Sequence, residues 1–410
     1  MILNKESLCI NKIKPSLLHR AVRDSDHSKI DQLLENPSTD INKNIYYWDT
    51  ALHLAVRNSD ISLISKLLDH GSKINELSFA EGYTPLHLAV MSKSLAVVEL
   101  LARRGAEVNG MSTNHSQRFW TPLHFAVSQN NYPMVDLLFR FNADINGIHV
   151  KCRDISHKSS VRTKVRDYYY KTPLHVAVDY HQLETVRYLL NLEQVDINAI
   201  DSVYANKYAS ILYEAMRNEC LETSRLLLDA GLDVNAVNEE NFSVLECIHQ
   251  PHNDSWRRDG ENFCVVVVKK HLVKLDVIDH HLIQQNLSAI SGSELDEFRR
   301  DCFKEIQVLR RTRIDGTNLT YYCILFKSER TLAVFSRNVD QSVNNYDHLV
   351  RRLPIYGGII YFRLKQVLKR CRLLKAAEKS IFEIFRILPD TFVREIFLYL
   401  SNEDLKVLIA

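Results

Sequence analysis

TPLHLAV, residues 84–90, is the stretch that decides the fold, because the chain repeats it at regular intervals. Related heptapeptides begin at Ser16, Thr50, Thr121, Thr172 and Ser210. Each is followed by a helical apolar pattern and then by a tripeptide of the D-I-N type. The histidines His19, His53 and His87 are spaced by 34 residues. Such a period predicts a tandem array in which every repeat is one supersecondary unit.

The residues of the motif explain why each repeat should begin with a helix. A Thr hydroxyl caps a helix N-terminus, and Pro suits the first turn, where its missing N–H is not needed. The pattern resembles the ankyrin-repeat family over residues 15–248, since that family has a period of about 33 residues. The resemblance implies an all-α fold, an ankyrin-repeat solenoid of about six to seven helix–turn–helix repeats with β-hairpin fingers.

One histidine recurs in most repeats, which raises the question of a metal site. The series is His19, His53, His87, His124 and His175. Ligands of one ion lie within a few ångströms of each other, whereas successive repeats are about 10 Å apart. The spacing therefore favours structural histidines that bond backbone across the repeat junction. No Gly-rich phosphate loop, H-E-x-x-H or G-x-S-x-G motif occurs, so we predict a non-enzyme without metal or cofactor.

Aromatic residues and Arg concentrate just before each Thr, where the fingers of an ankyrin stack are expected. These residue types anchor protein interfaces, and the resemblance implies a target protein on the concave face. The candidate target-binding residues are Tyr47, Trp48, Tyr83, Arg118, Phe119, Trp120, Arg166, Tyr168, Tyr169 and Tyr170. The alternative is that the aromatic side chains pack finger against finger. It is weaker for Tyr168, Tyr169 and Tyr170, because three adjacent side chains cannot all point inward.

A basic insertion interrupts the repeat spacing at residues 147–170. His124 and His175 are 51 residues apart, about 17 more than one repeat. Between Lys151 and Lys171 there are seven Lys or Arg and two Asp. Insertions in repeat proteins often lie on the binding face, and this one suits an acidic protein partner. The alternative is a solvated loop. Nucleic acid is disfavoured, because no motif of a nucleic-acid-binding fold accompanies the charge.

The rest of the chain predicts helices. After an N-terminal segment at 1–14 and the repeats at 15–248, residues 249–292 read as a degenerate repeat or cap with a connector. The run FCVVVV could form a strand, but its neighbours favour a helix. Residues 293–410 predict a C-terminal all-helical domain. Within it, residues 351–375 contain eight Lys or Arg and no acid, which indicates either a solvated helix face or a patch for an acidic surface or RNA.

The segment ILPDTFVREIFLYLSNEDLKVLIA, residues 387–410, has its own pattern. Pro389 starts a helix with an apolar stripe, and Ser401 followed by Asp404 predicts a capping box for a second helix. The pattern L-P-x(6)-I-x(3)-L-S-x-x-D-L resembles the opening of an F-box. That family holds the Skp adaptor of cullin-RING ubiquitin ligases. An F-box continues through a third helix, whereas this sequence ends at Ala410.

Ankyrin repeats followed by a truncated F-box-like segment resemble the PRANC family of poxviruses, parasitoid wasps and bacterial symbionts. The resemblance covers residues 293–410, with the F-box-like motif at 387–410. It implies binding of the Skp adaptor through one set of side chains. These are Leu388, Pro389, Phe392, Ile396, Leu400 and Leu405.

Two functions fit these features. The first is a non-catalytic substrate receptor, whose ankyrin face holds a target while the terminal motif recruits a ubiquitin ligase. The alternative is a stand-alone ankyrin inhibitor or scaffold that masks a signalling protein or Rel-type transcription factor. A net charge of +2 indicates no particular partner. Eight dispersed cysteines without a C-x-x-C pair, and no signal peptide or membrane span, predict a cytoplasmic protein that could also enter the nucleus.

Overall fold

A computed structural model describes most of the chain. The described residues are 16–43, 49–78, 81–113, 120–147, 172–192, 194–198, 211–237, 241–248, 263–314, 317–335, 345–384 and 397–409, with the backbone alone at 379–384. The chain forms two compact units. The first comprises Met1–Thr185 with Asp201–Tyr204, and the second comprises Val186–Ile200 with Ala205–Ala410.

The first unit is built from pairs of short helices. They are α1 (Leu17–Arg23), α2 (His27–Glu35), α3 (Ala51–Arg57), α4 (Ile61–Asp69), α5 (Pro85–Met91), α6 (Leu95–Arg103), α7 (Pro122–Ser128), α8 (Tyr132–Arg140) and α9 (Pro173–Asp179). Helix α10 (Leu183–Leu190) spans the division between the units. The first helix of each pair packs against the first helix of the next pair, from α1 through α3, α5 and α7 to α9.

Each first helix starts and stops for the same local reasons. The capping side chains of Ser16, Thr50, Thr84 and Thr172 accept a hydrogen bond from the backbone N–H three residues on. The turn into the second helix uses one left-handed residue with φ of 53–59°. These residues are Ser25, Ser59, Lys93, Asn130 and His181. The recurrence of cap and turn at the same place fixes the same helix pair in every repeat.

The motif histidine joins neighbouring repeats. In each repeat its Nδ1 accepts a hydrogen bond from the Thr or Ser hydroxyl, at 2.7 Å for His53 and His87. Its Nε2 donates to the carbonyl oxygen just before the next Thr, from His53 to Tyr83 at 3.1 Å and from His87 to Trp120 at 2.9 Å. Both ring nitrogens are thus used by a buried, neutral imidazole. These bonds agree with a structural role for the histidines, in which each ring links two neighbouring repeats.

The Asn of the D-I-N tripeptide forms a second ladder. Asn42 donates through Nδ2 to the Gly71 carbonyl oxygen at 3.0 Å, and its Oδ1 accepts from the Lys73 N–H at 2.7 Å. Asn109 repeats this pair of bonds with Asn142 O and Asp144 N, at 3.1 and 2.8 Å. One side chain therefore satisfies two backbone groups of the following repeat.

The second unit contains the remaining helices. They are α11 (Ile211–Arg217), α12 (Leu221–Asp229), α13 (Val244–Ile248), α14 (Phe263–Val277), α15 (Gln284–Ala289), α16 (Asp296–Arg311), α17 (Tyr321–Phe326), α18 (Glu329–Phe335), α19 (Tyr346–Arg352), α20 (Gly357–Ile384) and α21 (Asn402–Ile409). A 3₁₀ turn, Ser293–Leu295, precedes α16. Helix α20 is the centre of this unit, because α12, α17, α18, α19 and α21 all pack against it.

Features of the repeat continue into the segment after residue 248. Asn235 donates through Nδ2 to the His281 carbonyl oxygen at 2.8 Å, and its Oδ1 accepts from the Ile283 N–H at 3.1 Å. This is the bonding pattern of Asn42 and Asn109. The valine run lies in helix α14, which packs against α12 as a neighbouring repeat would. The assignment of 249–292 as a degenerate repeat or cap with a connector stays a prediction.

The all-α fold class is confirmed. The described residues contain helices and two isolated β-bridges, Val237 with Ser243 and Arg313 with Thr320, and among them there is no strand. The bases of two predicted fingers are present, because the N–H of Ser78 bonds to the Tyr83 carbonyl oxygen and the N–H of Ser112 to that of Trp120. The finger tips lie outside the described residues.

The buried histidines predict loss of stability in mild acid. His87 is fully buried, and its burial lowers its pKa to about 4, against 6.5 for a free histidine. A lowered pKa in the folded state means that the unfolded chain takes up the proton first. The stabilisation is therefore complete above pH 6.5 and is lost as the pH falls towards 4, at a cost of roughly 3 kcal/mol for His87 alone.

The measurement is urea unfolding of the full chain across this pH range. We expect His87→Gln to lower stability at neutral pH and to reduce the slope of stability against pH between 4 and 6.5. The exposed His70 provides the control, and His70→Gln should leave that slope unchanged. Equal slopes for His87→Gln and the wild-type protein would contradict the prediction.

Candidate interaction surfaces

Tyr83, one of the predicted target-binding residues, lies in the interior. Its side chain is 5% exposed, and its ring meets Phe125 edge-on with 5.4 Å between centroids. Its carbonyl oxygen is the acceptor for His53, and its N–H donates to Ser78 Oγ. A side chain so covered offers almost no surface to a partner. The ring of Tyr83 therefore packs against helix α7 of the next repeat, and its predicted target-binding role stays a prediction.

Trp120 is half-buried and also packs within the stack. Its ring stacks on His124 at 6.0 Å and meets Phe125 at 5.0 Å and Tyr180 at 6.4 Å. It thus retains an exposed edge while joining two repeats. The other predicted target-binding residues lie outside the described part of the chain: Tyr47, Trp48, Arg118, Phe119, Arg166, Tyr168, Tyr169 and Tyr170. For them the target-binding role stays a prediction.

The C-terminal segment packs on helix α20. Phe397 is 1% exposed and Leu405 is fully buried, whereas Leu400 is half-buried. Helix α21 lies against α20, so Leu405 contacts the chain's own interior. The predicted role of Leu405 as an adaptor contact therefore conflicts with its position. Leu388, Pro389, Phe392 and Ile396 lie outside the described residues.

Arg370 of α20 holds this segment in place. Its side chain is 2% exposed and its guanidinium bonds to three acceptors. Nη2 donates to the carbonyl oxygens of Phe397 and Leu400 at 2.8 and 2.6 Å, and Nη1 donates to Asn402 Oδ1 at 2.7 Å. Residues 397–399 are helical, so the cation sits where a helix C-terminus leaves its carbonyls unsatisfied.

The predicted capping box at the start of α21 is confirmed. The Ser401 N–H donates to Asp404 Oδ2 at 2.7 Å, and the Asp404 N–H donates to Ser401 Oγ at 3.1 Å. Hydrogen bonds from Ser401 lower the pKa of Asp404. The box explains why a separate second helix begins at Asn402.

Within the described residues of this segment, the most exposed apolar side chains are ones that the sequence did not single out. Tyr399 is 81% exposed, Val407 is 77% exposed and Ile409 is 39% exposed. We call these three residues the terminal apolar patch. Sequence reasoning missed it because Leu405, Val407, Leu408 and Ile409 lie on several sides of a short helix, so no single stripe marks its inner face.

The basic run of residues 351–375 is used largely within the second unit. Lys365 Nζ donates to the Asn191 carbonyl oxygen at 2.8 Å, Arg363 Nη2 to that of Lys327 at 3.0 Å, and Arg352 lies over the Tyr321 ring. The run is therefore not a uniformly solvated helix face. Several of its cations bind backbone carbonyls and aromatic rings.

The described residues contain neither a candidate metal site nor a candidate membrane-spanning helix. No group of three or more His, Cys, Asp or Glu side chains there is placed to hold a metal ion. Within the same residues, no helix is both long and apolar enough to cross a membrane.

Arg370→Met should detach the C-terminal segment. The change leaves two backbone carbonyls and the Asn402 amide oxygen without their charged donor, at a cost of about 3 kcal/mol or more. We expect faster hydrogen exchange at residues 397–409 and a lower unfolding midpoint. Lys375→Met is the matched control, since Lys375 is exposed on the same helix and should change neither. Unchanged exchange in Arg370→Met would show that packing alone holds the segment.

Comparisons with known proteins agree with the repeat geometry. Two family models match, one described as ankyrin repeats (3 copies) at residues 18–112 and 148–238, the other as ankyrin repeats (many copies) at residues 108–148. No curated protein sequence matches the chain.

Solved structures are similar at low identity. The ankyrin repeat domain of Bcl-3, a member of the IkappaB protein family, is 23% identical with a TM-score of 0.46, over 58% of this chain and 95% of that one. The human ASB11 ankyrin repeat domain is 22% identical with a TM-score of 0.40, over 60% and 99%. The two family models together span residues 18–238, which is more than half of the chain, and the protein belongs to the ankyrin-repeat family.

Proposed function

We propose that the protein is a non-catalytic substrate receptor of a cullin-RING ubiquitin ligase. Ankyrin repeats are protein-interaction modules and in general are not enzymes, so binding of a target by the repeats is the basis of the proposal. The second part is recruitment of the Skp adaptor by the F-box-like segment at 387–410. Such a receptor acts by proximity, because it raises the local concentration of target lysines near the ligase.

The proposal is supported mainly by one property of the C-terminal segment: it is anchored on α20 and still exposes large apolar side chains. Arg370 and the buried Leu405 anchor it on α20, while Tyr399 and Val407 remain more than three-quarters exposed. An ordered segment that keeps large apolar side chains in solvent is typical of a docking surface. In this proposal the adaptor covers the terminal apolar patch together with Leu388 and Pro389, and Leu405 supports the patch from below.

A second candidate is a stand-alone binding protein that masks its target without ubiquitination. It is favoured by the burial of Phe397 and Leu405, because a segment that completes the interior of its own unit has a structural role of its own. In that case the PRANC-like region at 293–410 supports the last repeats, and a signalling protein or Rel-type transcription factor is the kind of target expected.

Adaptor binding should depend on the exposed residues of the segment. We expect the Skp adaptor to co-purify with the full chain and to be lost on Leu388→Ala with Pro389→Ala. Tyr399→Ser with Val407→Ser should weaken binding by about tenfold or more, because both remove apolar anchors. Phe303→Ser with Val308→Ser is the control, since both side chains are 52% exposed on α16. Undiminished adaptor binding in both test variants would reject the segment at 387–410 as the adaptor site, and absence of the adaptor from the purified full chain would reject the receptor function in favour of the second candidate.

Point substitutions are preferable to deleting residues 387–410. The deletion would strip Phe397 and Leu405 from α20 and so would disturb the second unit. A loss of cellular effect would then report misfolding as readily as loss of the adaptor.

Target binding should depend on the repeats and not on the patch. We expect a target protein, identified by quantitative affinity purification, to be lost when Tyr168, Tyr169 and Tyr170 are all changed to Ser. The same target should be retained by Tyr399→Ser with Val407→Ser, and the adaptor should show the opposite pattern. If the three tyrosine changes leave every captured protein unchanged, the insertion is not part of the target-binding surface.

A further inference from the structure

A cleft of about 1020 Å³ lies entirely within the second unit. One wall consists of residues 228–234 at the end of α12 and the end of α14, and the other of residues 325–330 between α17 and α18. Helix α20 forms the floor, and Ser401 and Asn402 close one end. Two of its lining cations, Arg363 and Arg370, belong to the basic run at 351–375 for which the sequence left a patch for an acidic surface or RNA as one alternative.

The floor is one face of helix α20. Its lining residues are Ile359, Phe362, Arg363, Gln366 and Arg370. They recur at intervals of three and four, so the face extends for roughly 16 Å along the helix axis. Apolar side chains come first and cationic ones follow, and the cleft is thus long enough for an extended peptide of several residues.

Four cations converge at one end of this cleft. They are Lys327, Arg330, Arg363 and Arg370. None of them forms an ion pair with a carboxylate among the described residues. Their bonds go to neutral acceptors: Arg330 donates to the Tyr399 carbonyl oxygen, Arg363 to that of Lys327, and Arg370 to the three acceptors given above. Glu329 is the acidic residue that lines this end.

Two of these guanidinium groups keep an unused buried donor. The Nε atoms of Arg363 and Arg370 have no hydrogen-bond partner within the described structure, although both are shielded from solvent. Arg370 as a whole is only 2% exposed. Burial lowers the pKa of both groups, and the nearby charge of Glu329 opposes that shift only in part. Buried cations of this kind are stabilised by an anionic ligand.

The opposite end of the cleft is lined by acidic side chains. It is lined by Asp229, Asp233 and Asp279 with His271 and His280. Asp229 is 2% exposed, accepts from the Tyr346 hydroxyl at 3.0 Å and lies 3.7 Å from Lys274 Nζ. Carboxylates at this end would repel an anion, so a ligand with one negative group has a single favourable orientation.

We propose that this cleft binds a phosphorylated peptide segment of a partner protein, with the phosphate held by Lys327 and Arg330 and attracted by the buried charges of Arg363 and Arg370 in the floor. A phosphate carries a charge of about −1.5 to −2, which matches this end of the cleft better than a single carboxylate does. Guanidinium groups also bind its oxygens in pairs. Free phosphate would fill only a small part of the volume, whereas a peptide also covers Ile359 and Phe362. The proposed peptide site adjoins the C-terminal segment, but it uses the cations of the cleft and not the apolar side chains of Tyr399, Val407 and Ile409.

The test is selection from a peptide library that is degenerate on both sides of a fixed phosphoserine, with a matched serine library. The full chain should enrich the phosphoserine library. Lys327→Gln with Arg330→Gln should reduce that enrichment by about tenfold or more, because charge-assisted hydrogen bonds are lost. Both residues are exposed, so the fold should tolerate the change. Arg300→Gln with Lys304→Gln removes two exposed cations of α16 outside the cleft and should have no effect.

Arg363→Lys provides a second variant, since it keeps the charge but removes the planar fork that bonds to the Lys327 carbonyl oxygen, and it should also weaken enrichment. Equal capture of the two libraries would overturn the proposal, as would full enrichment in Lys327→Gln with Arg330→Gln. Binding of the full chain to vesicles that contain a phosphoinositide tests a lipid headgroup as the alternative ligand. If these bind in place of the peptides and are released by the same double change, the cleft is a lipid-headgroup site and the assignment to a peptide is wrong.

Discussion

The repeats depend on one small interaction, the bifunctional histidine that recurs in most of them. Its Nδ1 is occupied by the Thr hydroxyl that starts its own helix, and its Nε2 reaches the carbonyl before the next Thr. One buried ring thus sets the helix start and the distance to the following repeat. The imidazole must be neutral, because Nδ1 can accept a hydrogen bond only when it carries no proton. Burial favours this neutral form, since it disfavours the charged ring. The Asn side chains of the D-I-N tripeptides likewise bond to two backbone groups of the following repeat.

Within the second unit, the Asn ladder continues from the last D-I-N-type tripeptide into the residues that follow helix α14. Asn235 bonds to residues 281 and 283 as Asn42 bonds to residues 71 and 73. Helix α12 then packs against both α14 and α20. The second unit is consequently organised around the long helix α20, whose two ends hold different elements: Asp229 lies against Gly358 near its start, and Arg370 binds the C-terminal segment further along.

Much of the repeat architecture was predictable from the sequence, since its determinants are local and periodic. Thr caps, the Pro at the first turn and the Leu and Ala positions of TPLHLAV recur at a fixed spacing, and the Ser401–Asp404 box is equally local. Side-chain direction was not predictable in the same way. Tyr83 turns inward because Phe125 of a neighbouring repeat receives its ring. Leu405 is buried and Val407 is exposed because α20 covers one side of α21. Arg370 is buried by backbone carbonyls, which have no sequence signature.

The two ladders leave one part of each repeat unconstrained in length. The described bonds of both ladders join the helix starts and the D-I-N tripeptides. A chain of this kind can therefore acquire new residues at the tips while the stack keeps its period. The insertion predicted at 147–170, which begins at Gly147 and ends shortly before Thr172 caps α9, would be such an addition. Over evolutionary time these tips are where a new specificity can be added without refolding the rest.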